Sequence, residues 1–244
     1  MEDIGRNLTK TVGKYFVLGA REEKELSSVV NNWAYETRQE NTQRLEKALS
    51  MAKAKPSEEA RGKRKLNDIL PSIGKFKPKT VLDFGAGTGD VTQAAALYYS
   101  LSPTQVFAIE PKEMPPSSLF TYKKDISQVP DASIDLILIL ETLHHIHPQD
   151  RIPILSHVSR VLSPKGKVII QEHAYNATPA HYIGLDIYHN VWYIKNKEDY
   201  DPLYLFSIEN ATLQMANAGL ELESKTDPRG WQQIYSASFV KKIS

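Results

Sequence analysis

The residues with the plainest chemistry lie in Val81-Leu82-Asp83-Phe84-Gly85-Ala86-Gly87-Thr88-Gly89-Asp90, where an apolar run enters a glycine loop that opens a helix-forming stretch. Glycines at this spacing let the chain turn sharply above a sheet and let a ligand approach the backbone closely. Glu110 follows 21 residues beyond Gly89, at the tip of the next apolar run. A carboxylate there can accept hydrogen bonds from both hydroxyls of a ribose. The loop and the acid together describe a site for a nucleoside-bearing ligand. Asp90 stands where a dinucleotide site carries a third small residue and a helix N-terminus receives a pyrophosphate, and an aspartate opposes a phosphate there.

These groups need a sheet beneath them, and the apolar pattern supplies one. Thr80–Phe84, Gln105–Glu110, Leu119–Lys123, the continuous apolar run Ile134–Leu140 and Lys167–Gln171 read as strands, with a helix over Asp90–Tyr99. Alternating strands and helices imply a parallel sheet. Asp150 is expected to cap a helix carrying Ile152, Leu155, Val158 and Leu162, with Pro153 in its first turn and Pro164 and Gly166 at its end. Ser207 opens a later helix that stops at Gly219, and Leu220–Ser224 and Ile234–Val240 form an antiparallel pair that completes the sheet. Before the sheet, residues 1 to about 50 read as helical, on the spacing of Leu26, Val30 and Trp33 and of Leu45 and Leu49. Lys53–Gly62, with Pro56, reads as a linker, and Arg64–Ile73 as a short helix ending at Pro71.

The loop resembles motif I of class I S-adenosylmethionine-dependent methyltransferases, of the type 11-like kind, and the resemblance runs from Thr80 to Val240. Lys124-Asp125-Ile126 is similar to the family's motif III. Ile134 through Ile146, containing Leu140-Glu141-Thr142-Leu143-His144-His145, resembles motif IV of the subgroup acting on small molecules. Arg160-Val161-Leu162-Ser163-Pro164-Lys165-Gly166-Lys167 is similar to the turn before strand five, with Lys165 departing at a glycine position. The resemblance implies an α/β fold: a Rossmann-like seven-stranded, mostly parallel sheet with an antiparallel final strand, plus an N-terminal helical extension. It implies a domain over 63–244 after an extension and linker over 1–62, with an acceptor-recognition insertion at about 172–205. It also implies S-adenosylmethionine as cofactor, held by Asp83, Gly85, Ala86, Gly87, Glu110, Asp125, Ile126, Leu140 and Glu141. In the family an acid at the place of Asp83 anchors the cofactor's amino group, and the residue after the motif III acid packs on the adenine ring.

Methyl transfer is an in-line displacement that gains most from alignment, and a base is needed only where the acceptor must lose a proton. Candidates stand after strands four and five: Glu141, His144 and His145, then Glu172 and His173. Imidazole is the natural base near neutral pH. His173, Glu172 and His145 are the catalytic candidates; the paired histidines also read as part of a turn. Tyr175 through Tyr193 is rich in aromatic rings able to stack a planar acceptor or a nucleobase. Asp186 and His189, three apart, read as a hydrogen-bonded polar pair lining a pocket rather than as metal ligands, and no metal is expected.

The acceptor is open between a small molecule and RNA. Between Lys53 and Lys79 nine bases face three acids, a local +6 in a chain of net +1. Such a run attracts polyanions or is a solvated helix face. Glu172-His173, the later Asp186-x-x-His189 and the ending Trp231 to Lys241 also look like virus-encoded methyltransferases, some associated with RNA capping. The lysine-aspartate-lysine-glutamate tetrad of ribose methylation is missing, since Gln171-Glu172-His173 stands where its lysine is expected. A reading of another class is a catalytically silent scaffold or partner subunit. Absent cysteines exclude thiolate chemistry, and the start MEDIGRNLTK lacks a signal-peptide pattern, so a cytoplasmic protein with no membrane partner is expected. No motif sets an oligomeric state.

Overall fold

The computed structural model describes the chain apart from residues 1–8, 14–15, 34–37, 55–58, 115, 175–178, 197–201, 230–232 and 243–244. Pro56, Tyr175 and Trp231 from the sequence reading therefore lie outside the described residues. In chain order the elements are β1 (Phe16–Val17), α1 (Ala20–Asn32), α2 (Arg38–Leu49), β2 (Lys53–Ala54), α3 (Glu59–Ile73), β3 (Val81–Phe84) and α4 (Asp90–Tyr99). There follow β4 (Val106–Ile109), β5 (Thr121–Lys123), β6 (Ile134–Leu140), α5 (Pro148–Val161), β7 (Leu162–His173), α6 (Pro179–Asn196), α7 (Ile208–Asn217), β8 (Leu220–Lys225) and β9 (Ile234–Lys241). No described helix is long and apolar enough to cross a membrane.

The chain forms two compact units. The larger comprises Glu58–Tyr175, Tyr204–Arg229 and Ile234–Ser244. It holds a seven-stranded sheet in the order β5-β4-β3-β6-β7-β9-β8. β3 to β7 pair in parallel, and β9 runs antiparallel to both β7 and β8. This is the Rossmann-like arrangement that the family resemblance implies, with the parallel strands expected from the alternation of strands and helices. β6 shows how the sequence builds it. Leu136, Leu138 and Leu140 point into one apolar layer, with Leu66, Ile69 and Ile73 of α3 and Ala95 and Ala96 of α4. Ile137 and Ile139 point into the other, with Leu155 and Val158 of α5 and Ile208, Ala211 and Met215 of α7. A strand alternates faces at every residue, so a run with no polar break must be covered on both sides.

Several boundaries differ from expectation for local physical reasons. The helix expected from Arg64 begins at Glu59 and continues through Pro71 to Ile73. So close to a helix end a proline disrupts little of the ladder. Glu59–Gly62 thus belongs to a helix, and Lys53–Ala54 to a strand, within the stretch expected as a linker. α5 starts at Pro148, with His147 as its cap residue and proline at the first position, and Asp150 lies inside the first turn. Pro164 and Gly166 fall within β7. Between the pairs Ile134↔Leu162 and Leu136↔Lys167 the strand carries an irregularity that absorbs them. Ser207 does cap α7, accepting from Asn210 N, and Gly219 follows that helix in the left-handed region.

The smaller unit comprises Met1–Ser57, Asn176–Leu203 and Gly230–Gln233. Its core joins Leu26, Val30, Trp33, Leu45 and Leu49 with Ile187 and Val191 of α6. The segment expected to be wholly helical also carries β1, which pairs antiparallel with β2 through Phe16↔Ala54 and Val17↔Lys53. Phe16 is buried and the exposed Val17 faces outward, the alternation of a short ribbon.

Candidate functional site

The glycine loop sits at the carboxyl end of β3, where open α/β sheets bind ligands. Gly85, Gly87 and Gly89 all have positive φ, of 75°, 54° and 79°. They are needed for three different reasons. A Cβ on Gly85 would lie 2.2 Å from Cγ2 of Thr142, and one on Gly89 would meet Phe120 at 2.8 Å and Met114 at 3.0 Å. A Cβ on Gly87 would meet nothing within 4 Å. Two glycines therefore let protein pack against the loop, while the third leaves its open side clear. The amides of Gly85 and Ala86 both donate to Ile109 O, at 2.9 and 3.1 Å, which ties the loop to the end of β4.

Beneath the loop, Asp83 is buried and accepts a 2.6 Å hydrogen bond from the Thr92 hydroxyl of α4. Burial pushes its carboxyl up to about 6, against the opposing effects of that hydrogen bond and of Lys65. Beside the loop, Glu110 accepts from Gly87 N at 2.9 Å through one oxygen and from Lys112 N at 3.2 Å through the other. The acid and the loop, separated by more than twenty residues, are thus brought into direct contact. Asp125 accepts from Ser127 N at 2.6 Å, and that backbone hydrogen bond holds its exposed carboxyl below the usual range. Ile126 and Leu140 are both buried in apolar layers, Ile126 on the α5 side and Leu140 on the α3 side. Arg160 of the motif before β7 donates to Val129 O and Ile126 O, at 2.9 and 3.1 Å, and so anchors the segment after Asp125.

The ends of β6 and β7 gather the remaining candidates. Glu141 adopts a left-handed conformation with φ 55°. Its amide donates to Gln171 O at 2.6 Å and its side chain pairs with Lys65 Nζ at 2.9 Å. Burial alone would raise the Glu141 carboxyl, but the charges of Lys65, His173 and Arg61 outweigh it and hold the group well below the usual range. His144 lies between two other imidazoles, with ring centroids 4.2 Å from His145 and 5.2 Å from His173. His173 and His144 are buried and His145 is half-buried. Glu172, expected to face an acceptor, is fully buried, and both its oxygens are taken by the chain. One accepts from Thr142 N and Leu143 N at 2.9 and 2.7 Å, and the other lies 2.5 Å from His144 Nδ1. Desolvation pushes its carboxyl up to about 7 in spite of these donors and of His173.

Helix α3 contributes residues that the sequence reading had assigned to a linker and a basic patch. A Cβ on Gly62 would lie 2.0 Å from the Asp90 carbonyl, so α3 lies directly against the start of α4. That approach lets Arg61 reach Asp90 at 3.7 Å and Lys65 reach Glu141. Lys63 and Arg64 are exposed. The signal in the sequence was the spacing: Gly62, Leu66, Ile69 and Ile73 make a buried stripe, and Arg61 and Lys65, one turn apart, flank it. In the smaller unit, Asp186 and His189 each have a partner on another residue. Asp186 accepts from the Trp33 indole at 2.9 Å, and His189 Nδ1 lies 2.7 Å from Leu185 O one turn back.

Comparison with known proteins bears on the fold and the family. A Burkholderia thailandensis 1,6-didemethyltoxoflavin-N1-methyltransferase, with 1,6-didemethyltoxoflavin and S-adenosylhomocysteine bound, superposes with a TM-score of 0.52 at 17% identity over 93% of this chain and 92% of that one. CalO1, a methyltransferase in calicheamicin biosynthesis in its S-adenosylhomocysteine-bound form, gives 0.52 at 15% identity over 98% of this chain and 69% of that one. PH0226 from Pyrococcus horikoshii OT3 gives 0.57 at 14% identity over 73% and 89%. At these identities the likeness is one of fold. No curated protein matches the chain significantly. The family model described as a methyltransferase domain matches residues 57–225, well over half of the sequence, and the chain accordingly belongs to the methyltransferase domain family.

Proposed function

We propose that this methyltransferase moves a methyl group from S-adenosylmethionine to an oxygen or nitrogen of a small planar acceptor. The observation that carries the cofactor assignment is the contact of Gly87 N with Glu110, at the one loop glycine whose Cβ position is open. Backbone is bare there, a carboxylate for ribose hydroxyls stands beside it, and no phosphate is invited because Asp90 and Glu110 are both anionic. The residues fit a sulfonium nucleoside. Gly85, Ala86 and Gly87 would line its path, Glu110 would take the ribose, and Asp125 with Ile126 would border the base. Leu140 and Glu141 would close the far side, with Asp83 beneath.

When bound, S-adenosylmethionine supplies an electrophilic methyl carbon on a positively charged sulfur. The acidic groups Asp83, Glu110 and Glu141 favour that positive charge, and the buried layers around Ile126 and Leu140 exclude water. His173 and His145 stand at the ends of β7 and β6 as acceptors for a proton that a hydroxyl or protonated amine must lose. Glu172 contacts His144, whose ring lies between theirs. The small-acceptor reading draws on the Burkholderia neighbour, which holds 1,6-didemethyltoxoflavin. It draws also on Lys65, which is taken out of the basic run by its ion pair with Glu141 and so is not offered to a polyanion.

Calorimetry with S-adenosylmethionine and S-adenosylhomocysteine tests the cofactor. Binding of both is expected, and Gly87→Asp should abolish it by placing a bulky anion in the open path. No binding at high micromolar concentration overturns the reading. Radiolabelled methyl transfer to small-molecule, RNA and protein pools then identifies the acceptor class. Turnover on small molecules supports the proposal, and turnover confined to RNA replaces it with an RNA methyltransferase. Any turnover excludes a silent scaffold.

A further inference from the structure

Glu172 has no exposed surface, yet it is neither a spare buried acid nor a group aimed into open space. One oxygen accepts from the amides of Thr142 and Leu143 and the other lies 2.5 Å from His144 Nδ1, all in the turn that leaves β6. That turn holds two features of the proposed cofactor site. Glu141 sits in the left-handed region, unfavourable for a residue with a Cβ, and points at Lys65. Thr142 fills the space beside Gly85 that a Cβ would need, and its hydroxyl reaches Phe84 O at 3.3 Å and Leu140 O at 3.2 Å. Glu172 therefore holds the turn, and the turn is packed against the glycine loop.

We infer that Glu172 is a positioning residue: as an anion it clamps the Glu141–His144 turn against the glycine loop and thereby sets the affinity of the site for its nucleoside cofactor. The inference rests on the cofactor reading given above. A carboxylate accepts both amide hydrogen bonds on a charged oxygen, whereas a neutral acid carries a proton on one oxygen and accepts backbone hydrogen bonds more weakly. The clamp is therefore charge-dependent. The groups that bear on its charge are His144 in the turn, His173 beside it on β7, Glu141 at the end of β6, Arg151 on α5 and Tyr235 on β9. Burial places its titration at about 7, inside the range where methyl transfer is assayed.

The test is S-adenosylhomocysteine binding to wild type and Glu172→Gln, measured by calorimetry at pH 8 and pH 6. The glutamine keeps the shape and one carbonyl acceptor but has no charge. The variant is expected to bind about tenfold more weakly at pH 8 and to converge with wild type at pH 6, where the wild-type carboxyl is itself largely neutral. Loss of a merely structural group would weaken binding equally at both pH values, and that result, or equal affinity at pH 8, overturns the inference. No wild-type binding at pH 8 overturns the cofactor reading and the inference with it; wild-type binding matched by the variant overturns the inference alone. Hydrogen exchange in ligand-free wild type gives a readout that needs no variant. Protection of the Thr142 and Leu143 amides, corrected for intrinsic rates, should be lower at pH 6 than at pH 8, and unchanged protection also overturns it.

Discussion

The two halves of the sheet's carboxyl edge are built in different ways. On the β3–β4 side the glycine loop is held through main-chain amides: those of Gly85 and Ala86 on Ile109 O, and that of Gly87 on Glu110. On the β6–β7 side the hold is by side chains, with half-buried Lys65 on Glu141 and buried Glu172 on the Thr142 and Leu143 amides. The first half needs particular backbone conformations, so it tolerates few residues. The second needs particular partners, so its behaviour depends on ionisation. Thr142 joins them, since it packs on Gly85 while its amide is held by Glu172.

The sharpest way to break this contrast is to put a side chain where the backbone must be bare. Gly85→Ala adds a Cβ at 2.2 Å from Thr142 on a backbone with φ 75°, and should weaken S-adenosylhomocysteine binding at least about a hundredfold by calorimetry. Adding Thr142→Ala should recover part of the loss, because it removes the clash and leaves the unfavourable φ. Full recovery would mean that the first half is limited by packing rather than by backbone conformation.

Asp83 tests the cost of a buried charge. Its folded carboxyl titrates at about 6, above the ordinary 3.8, so the fold favours the protonated form. The stabilisation that this gives is complete below about pH 3.8 and is lost as pH rises through about 6. Asp83→Asn should therefore stabilise the fold at pH 8 by on the order of 1–3 kcal/mol, read as a higher melting temperature, and change it little at pH 4. The same variant should bind the cofactor about tenfold more weakly or worse. Destabilisation at pH 8 would show that the charge is compensated by Lys65 and Thr92.

Lys65→Met removes the nearest cation from Glu141, whose carboxyl should then rise because burial is opposed only by His173 and Arg61. Cofactor affinity should fall roughly fivefold to tenfold, with a steeper dependence on pH below neutrality. The smallest effect belongs to the neighbouring cations. Lys63→Glu with Arg64→Glu reverses charge on the exposed side of α3 and should leave cofactor affinity within about twofold in physiological salt. A large loss there would mean that the whole helix, rather than its inner face, serves the site.

Much of this was legible without coordinates. The glycine loop, Glu110 and the order of strands follow from patterns that act locally: a glycine supplies positive φ wherever it stands, and an unbroken apolar run needs cover on both faces. The apolar stripe of α3 was equally local, yet Lys65 was read as part of a charged surface because charge density along a sequence does not say which way a helix faces. Glu172 and His173 were read together as acceptor-side groups because they are adjacent. In a strand, adjacent side chains point to opposite faces, and their neighbours come from other elements.

What the sequence determined, then, was the sheet and the place of the glycine loop, because each depends on conformational preferences carried by short segments, and the family, through the resemblance of its motifs. What only the tertiary structure decided was the partner of each charge. Lys65 meets Glu141, 76 residues on, and Glu172 meets amides 30 and 29 residues before it. A carboxylate's protonation and role are set by the donors and dielectric around it, and those exist only when the sheet has closed and brought the ends of β6, β7 and α3 together.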